Sequence, residues 1–309
     1  MLGWLAGGVV RLVGLMAYGQ GHLVMPRLGL GGVAPLFSFG AYRALDSLAW
    51  IVATSIDVLI IGRLLGPSAV GLYSVALNFA MMPLSKTAPI INATAFPAFA
   101  LAHERPADAR YYLLKSMRLM ALVAVPVFFG LAAVAPEVVA LVFGPRWSEA
   151  VPVLAILSLA AVMRAIPVPV ATFLQGIGDS AGSFWCSAVG IVLLVPAMMI
   201  GCQWGVEGAA LAWCVVAPVH YVIVVVIVAR RGRMAMGALM AVPVLPVVAG
   251  LVMLAVLMLA RWASVELSST LARLVLLVAV GVASYAAAVA LLMPGAVAEL
   301  RALLRRSPA

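Results

Sequence analysis

The stretch RALDSLAWIVATSIDVLIIGRLLGPSAVGLYSVALNFAMMPLSK, residues 43–86, sets Asp46 and Asp57 inside one apolar run and Lys86 inside the next. A run of about 20 apolar residues is long enough to cross the roughly 30 Å hydrocarbon layer of a bilayer. Unpaired backbone groups are intolerable in lipid, and a long continuous apolar run cannot be an alternating barrel strand, so such a run must be a helix. An ionised side chain at the centre of a bilayer costs roughly 2.5–3.5 kcal/mol on insertion scales and persists where it faces another charge, water or a polar cargo. This stretch therefore sets the fold class, all-α, and points to where function resides.

The rest of the chain agrees. Hydrophobic residues make up 66% of its 309 residues and charged ones only 9%, with a mean hydropathy of +1.21; a soluble domain is about one quarter charged. The composition is that of a polytopic membrane protein. Its net charge of +9 does not point to nucleic acid, because the Lys and Arg residues gather at the ends of apolar runs, where they set topology. Cys186, Cys202 and Cys214 lie in apolar segments without metal-ligand or CxxC spacing and read as small core residues. No metal and no cofactor is expected.

Apolar runs predict nine spans, near 2–18, 41–62, 69–97, 114–134, 150–174, 182–202, 207–229, 238–260 and 271–293. The first is short and interrupted by Arg11. It lacks the basic start of a secretory signal and reads as a retained helix. Going loop by loop, one side receives twelve basic residues: Arg27, Arg43, Arg105, Arg110, Lys115, Arg118, Arg230, Arg231, Arg233, Arg301, Arg305 and Arg306. The other receives four, Arg63, Arg146, Arg261 and Arg273. Strict alternation of this kind predicts a cytoplasmic C-terminus.

The loops are too short to hold an extramembrane catalytic domain. The piece 135–147 reads as a short interfacial helix, with Val138, Val139, Leu141 and Val142 on its apolar side and Trp147 at headgroup level. The tail, 295–309, reads as a basic amphipathic segment on the cytoplasmic surface. Prolines 83, 89, 126, 167, 169, 196 and 218 fall inside spans, and each removes a backbone hydrogen bond and invites a kink.

Helical spacing places the polar residues on faces. Asp46 and Asp57, 11 residues apart, return to within about 20° of one side; Arg43 precedes Asp46 at a pairing distance of three residues. Asn78 and Asn92 share a face, with Lys86 between them, and Arg164 and Gln175 repeat the 11-residue spacing. Any one of these groups could serve an internal ion pair. Three polar stripes together favour a hydrated, mixed-charge cavity. Asp179 and Glu207, at span ends, suit capping or surface roles.

Two strings carry a family resemblance. SIDVLIIGRLLGPSAVGLYSVALNFAMMPL (55–84) and FPAFALAHERPADARYYLLKSMRLMALVAVPVFFGLAAVAPEVVALVFGPRWSEAVPVL (96–154) resemble the central part of Wzx-type oligosaccharide flippases, within the multidrug/oligosaccharidyl-lipid/polysaccharide exporter superfamily. The most diagnostic positions are Asp57, Ile61, Gly62, Arg63, Leu65, Gly66, Gly71, Leu72 and Tyr73, and the run from Gly144 to Pro152. The likeness covers 36–230.

What the resemblance implies is a transporter, not an enzyme. It would move undecaprenyl-pyrophosphate-linked oligosaccharide from the cytoplasmic to the periplasmic leaflet of a bacterial inner membrane, for lipopolysaccharide or exopolysaccharide synthesis. It also implies 14 spans in two six-helix lobes plus a final pair. On that plan 1–35 holds the remnant of an N-terminal lobe, 36–230 the C-terminal lobe, 231–294 the extra pair and 295–309 the tail. Five helices of the other lobe are then missing. The partners to expect are lipid-linked oligosaccharide, membrane lipids, a second chain supplying that lobe, and polysaccharide polymerase or export proteins.

Arg43, Lys86 and Arg164 would present positive charge to the pyrophosphate or an acidic sugar, with Asn78, Asn92 and Gln175 lining the cavity. Guanidinium suits phosphate through fixed, bidentate hydrogen bonds. Asp46 and Asp57 would pair with those cations or titrate in an ion-coupled cycle. The alternatives are a cation-coupled multidrug exporter of the same superfamily and a remnant without transport. A membrane polymerase is disfavoured, because it should carry a longer outer loop with Arg, His and acidic groups, and none of His22, His103 and His220 falls in an outer loop.

Overall fold

The computed structural model describes residues 7, 8, 10, 34–100, 106–264 and 269–294. Apart from residues 7, 8 and 10, the predicted first span lies outside these described residues, as does the C-terminal tail. The chain divides into two compact units, Met1–Ser38 and Phe39–Ala309. In the first, the described residues 7, 8, 10 and 34–38 are helical. The second unit is a helical bundle, and no strand occurs among its described residues.

Among the described residues from 34 on, twelve α-helices run in order: α1 Ala34–Ala53, α2 Ile56–Leu64, α3 Pro67–Ala100, α4 Pro106–Ala133, α5 Ala135–Val142, α6 Ala150–Ala165, α7 Val168–Gly176, α8 Ser180–Gly201, α9 Gly205–Arg231, α10 Met236–Met240, α11 Val244–Ala263 and α12 Thr270–Leu292. Among the described residues seven stretches are long and apolar enough to cross a membrane, and one of them, Ser180–Arg231, holds both α8 and α9. The protein is thus a multi-pass membrane protein. The described residues account for eight of the nine predicted spans, taking Ser180–Arg231 as two.

Two predicted spans differ from a single rod. Span 41–62 is divided between α1 and α2 by a turn at Thr54 and Ser55, and span 150–174 between α6 and α7 at Ile166 and Pro167. Proline explains the second break, since its ring clashes with the preceding turn. At the first, the Thr54 hydroxyl donates to the carbonyls of Trp50 and Ile51 at 3.0 and 3.1 Å, drawing the chain out of helix. The inference that Asp46 and Asp57, or Arg164 and Gln175, each share one continuous helical stripe is corrected accordingly. Prolines 126, 196 and 218 lie inside α4, α8 and α9, which continue through them.

Helix α6 is the axis of the bundle. Ala150, Val153, Leu154, Leu157, Ala160, Ala161 and Ala165 are all buried, and the helix packs against α3, α4 and α9. A helix apolar all round belongs in an interior. Helices α8 and α9 form a hairpin turned by the 3₁₀ segment Cys202–Trp204. Gly201 and Gly208 bring their backbones together there: a Cβ on Gly201 would lie 2.5 Å from the Gly208 carbonyl oxygen, and one on Gly208 would collide with the Gly201 carbonyl. Small residues permit this approach, and dispersion between the backbones rewards it.

Helix α11 docks on α4, where Gly250 leaves room for Val125 and Phe129. A charged clamp fixes its far end. Arg261 Nη2 donates to Glu137 Oε1 at 2.8 Å, and Nη1 donates to the Ala133 carbonyl at 2.7 Å. Glu137 belongs to α5, the predicted interfacial helix, whose Ala135, Val138 and Val139 are buried with it. The Tyr285 hydroxyl of α12 donates to the Leu122 carbonyl at 3.2 Å, completing the attachment of the last two helices.

Breaking a buried ion pair by removing one partner typically costs about 3–5 kcal/mol. Arg261 keeps 29% of its side-chain surface exposed, so Arg261→Ala should fall near the lower end, about 3 kcal/mol. Thermal unfolding of the detergent-solubilised protein should show a lowered midpoint. An unchanged midpoint would remove the clamp from the account.

Candidate functional site

Two polar clusters occupy the bundle. The first gathers around Asp46 on α1, close to the start of α8. Ser183 Oγ donates to Asp46 Oδ2 and Ser187 Oγ to Oδ1, each at 2.7 Å. Gln175 Nε2 adds a longer contact of 3.4 Å and Arg43 Nη1 one of 3.5 Å. Ser183 and Ser187 stand one turn apart on α8 and so present both hydroxyls to one carboxylate. Nearby, the Ser180 hydroxyl donates to the Phe39 carbonyl at 3.2 Å. Asp46 is buried and its two oxygens are both occupied; the geometry is that of a knot tying α1 to α8.

The expected Arg43–Asp46 pair is present but long, and the Arg43 side chain is 49% exposed. Such a pair contributes little to stability.

The second cluster centres on Asp57, at the start of α2. Its Oδ1 accepts from the Val58 N–H at 2.8 Å and its Oδ2 from the Tyr73 hydroxyl at 3.0 Å. The Tyr73 oxygen in turn accepts from Trp213 Nε1 at 3.0 Å. On the face of that indole lies the Arg164 guanidinium, 3.6 Å from the ring centroid. Asp57 and Tyr73 are almost wholly buried. Four helices thus meet through side chains: α2, α3, α9 and α6.

These residues agree in depth. Asp57 lies seven residues before the end of α2, while Tyr73 and Trp213 lie six and eight residues after the starts of α3 and α9. At 1.5 Å per residue each is about 9–12 Å from the same end of the bundle. The Asp46 knot is near the opposite end, where Asp179 caps α8 by accepting the Gly182 N–H at 2.8 Å. There Arg231 Nη1, from the end of α9, reaches both Asp179 oxygens at 2.8 and 3.0 Å. The capping role expected of Asp179 is met.

The clusters differ in what they leave over. Among the described residues, the buried side-chain atoms without a hydrogen-bond partner are Asn92 Oδ1, Glu137 Oε2 and Arg164 Nη1. The Asp46 knot contributes none of these. Arg164 therefore carries a cation held by a ring face and by no carboxylate within ion-pairing distance. A cation over an indole gains roughly 0.5–2 kcal/mol, less than full pairing of a desolvated guanidinium would give.

The remaining candidates lie apart. Asn78 is exposed and turns back to donate to the Ser74 carbonyl at 2.8 Å. Lys86 is exposed, without an ion pair among the described residues. Asn92 is half-buried. None of the predicted site residues lines the apolar recess of 580 Å³ between α8 and α9, which is bordered by Ala197, Ile200, Trp204, Leu211 and Val215. Tyr73 and Trp213, the two linking side chains, were not singled out for the site by sequence reasoning. Tyr73 stood in the resemblance string, but nothing in the spacing of Trp213 could have brought it to Tyr73.

The fold and this buried polar core define a polytopic helical membrane bundle. A family model described as "Polysaccharide biosynthesis protein" matches residues 1–152. The chain is 32% identical over 219 residues to the lipopolysaccharide biosynthesis protein WzxC of Escherichia coli, covering 70% of this chain and 44% of WzxC. It is 32% identical over 217 residues to the succinoglycan biosynthesis transport protein ExoT of Rhizobium meliloti, covering 67% of this chain and 42% of ExoT.

The inward closed structure of the lipid II flippase MurJ superposes with a TM-score of 0.63 at 12% identity, over 80% of this chain and 52% of that one. That likeness is one of fold. The chain spans less than half the length of the WzxC and ExoT sequences it matches. The matches to that family model and to WzxC agree with the resemblance to Wzx-type flippases read in the sequence.

Asp46→Ala would take the acceptor from the buried Ser183 hydroxyl and from the half-buried Ser187 hydroxyl, at about 1–3 kcal/mol for a buried unsatisfied group. The purified variant should unfold at a clearly lower temperature than the parent protein. If Asp46 unfolds at the parent temperature when replaced, it is not the knot described.

Proposed function

We propose that the chain forms a transporter lobe that takes part in moving an undecaprenyl-pyrophosphate-linked oligosaccharide from the cytoplasmic to the periplasmic leaflet of a bacterial inner membrane. Its part lies ahead of polymerisation or export of a surface polysaccharide. On this reading residues 36–230 are one six-helix lobe, 231–294 an added pair, and the C-terminus is cytoplasmic. A second lobe faces the first across the translocation path, and polymerase or export proteins receive the product.

The observation that carries the reading is Arg164, a guanidinium with an unpartnered buried nitrogen in a chain whose relatives are named for polysaccharide biosynthesis and transport. Arg164 is the group that takes the pyrophosphate or an acidic sugar, because planar guanidinium binds phosphate oxygens in pairs. Arg43 and Lys86, both exposed, supply further positive charge along the entry path. Gln175, Asn78 and Asn92 offer amides to sugar hydroxyls. Asp57 is the acidic group placed to respond to the cargo, and Asp46 serves mainly to hold α1 in place.

A charge-assisted hydrogen bond contributes roughly 1.5–3 kcal/mol, so Arg164→Gln, made in the chromosomal gene, should lower surface glycan about 10- to 100-fold at equal protein level. Arg43→Ala and Lys86→Ala should each lower it less. The measurement is surface polysaccharide per cell, with drug sensitivity recorded beside it. Normal glycan in Arg164→Gln cells would sink the reading; altered drug sensitivity with normal glycan would turn it toward drug export.

A further inference from the structure

Two opposite charges share the interior of this bundle without meeting. Asp57 is bonded to Tyr73 and Arg164 rests on Trp213, and the two aromatic side chains are bonded to each other, yet no ion pair within 4 Å joins Arg164 to a carboxylate among the described residues. In a medium of low dielectric the attraction between them is strong. Something must hold them apart.

The hydrogen-bond logic of the cluster shows what does so. An indole N–H can only donate. Trp213 Nε1 points at the Tyr73 oxygen, 3.0 Å away, so that oxygen must accept. The one proton Tyr73 owns is then directed to Asp57 Oδ2, also 3.0 Å away. Asp57 Oδ1 is occupied by the Val58 N–H of its own backbone. Each oxygen of the carboxylate thus accepts from a neutral donor, and neither lies within ion-pairing distance of the guanidinium. Arg164 meanwhile rests on the Trp213 ring, at the other end of the same relay.

We infer that Tyr73 and Trp213 form a spacer that keeps Asp57 from neutralising Arg164, so that the cation stays available to an anionic group of the cargo. The inference rests on the reading in which Arg164 takes the pyrophosphate. Tyr73 and Trp213 are positioning residues: neither touches the cargo. Tyr73 directs the carboxylate, and Trp213 both fixes the direction of the Tyr73 proton and gives the guanidinium its shelf. Without the Tyr73 hydroxyl, Asp57 Oδ2 loses its donor, and the one charged donor of the cluster is Arg164, with the freed Trp213 N–H as a neutral competitor. The carboxylate then closes on the guanidinium, and an incoming anion has to displace it.

The test uses the purified full chain in lipid nanodiscs and inorganic pyrophosphate as the probe, followed by isothermal titration. Four proteins are compared at equal monodispersity and helical circular dichroism: the parent, Arg164→Gln, Tyr73→Phe, and Tyr73→Phe with Asp57→Asn. The expected result is loss of binding in Arg164→Gln and at least about a tenfold weaker affinity in Tyr73→Phe, the order of one charge-assisted hydrogen bond. The double variant should recover most of that loss, because an uncharged amide no longer competes for the guanidinium.

No binding by the parent, or undiminished binding by Arg164→Gln, would overturn the reading of Arg164 and the spacer with it. Parent-like affinity in Tyr73→Phe, with Arg164→Gln inactive, would overturn the spacer alone. So would a weakened Tyr73→Phe that the second substitution fails to rescue, since that is what a merely structural hydroxyl produces.

Discussion

Hydrocarbon offers no hydrogen bonds, and every polar atom inside this bundle must therefore find its partner within the protein. That constraint decides which helices meet and where. Asp46 draws two hydroxyls from α8, Glu137 draws Arg261 from α11, and Asp57 draws Tyr73 from α3. Each buried acid recruits donors from a different helix, and the contacts between helices follow. Apolar packing fills the space around these points, most densely along α6, but lipid chains are as apolar as leucine and give little drive of their own.

The clusters treat that constraint differently. At Asp46 the donors and acceptors balance. At Asp57 the carboxylate is satisfied while the nearby guanidinium is left on an aromatic face. A bundle selected only for stability would close that ion pair, since a desolvated cation without a full complement of acceptors is unfavourable. Sites that act on other molecules are where such imbalance is tolerated.

Helix content and membrane class were legible because apolar run length is a one-dimensional signal. The breaks were less so. Pro167 announced one of them, but six other span prolines did not break or only began a helix, and Thr54–Ser55 has no comparable marker. Charge was legible, partnership was not. Asp46, Asp57 and Arg164 stood out by their rarity, whereas Tyr73 and Trp213 are ordinary membrane-protein residues whose polar atoms matter only once four helices converge. Glu137 was hidden in the same way: it read as part of a surface segment, and its partner Arg261, 124 residues on, as a topology marker. Sequence spacing reports faces along one helix and is silent on which faces touch.

The two helix breaks fall at telling places. One separates Asp46 from Asp57 and the other separates Gln175 from Arg164. Each interrupted span therefore gives one residue to the knot near the Asp179 end and one to the relay near the other. At each break the two halves of a span can take separate rotations about the helix axis, so the aim of each polar group is set by its own cluster and not dictated by its neighbour along the chain.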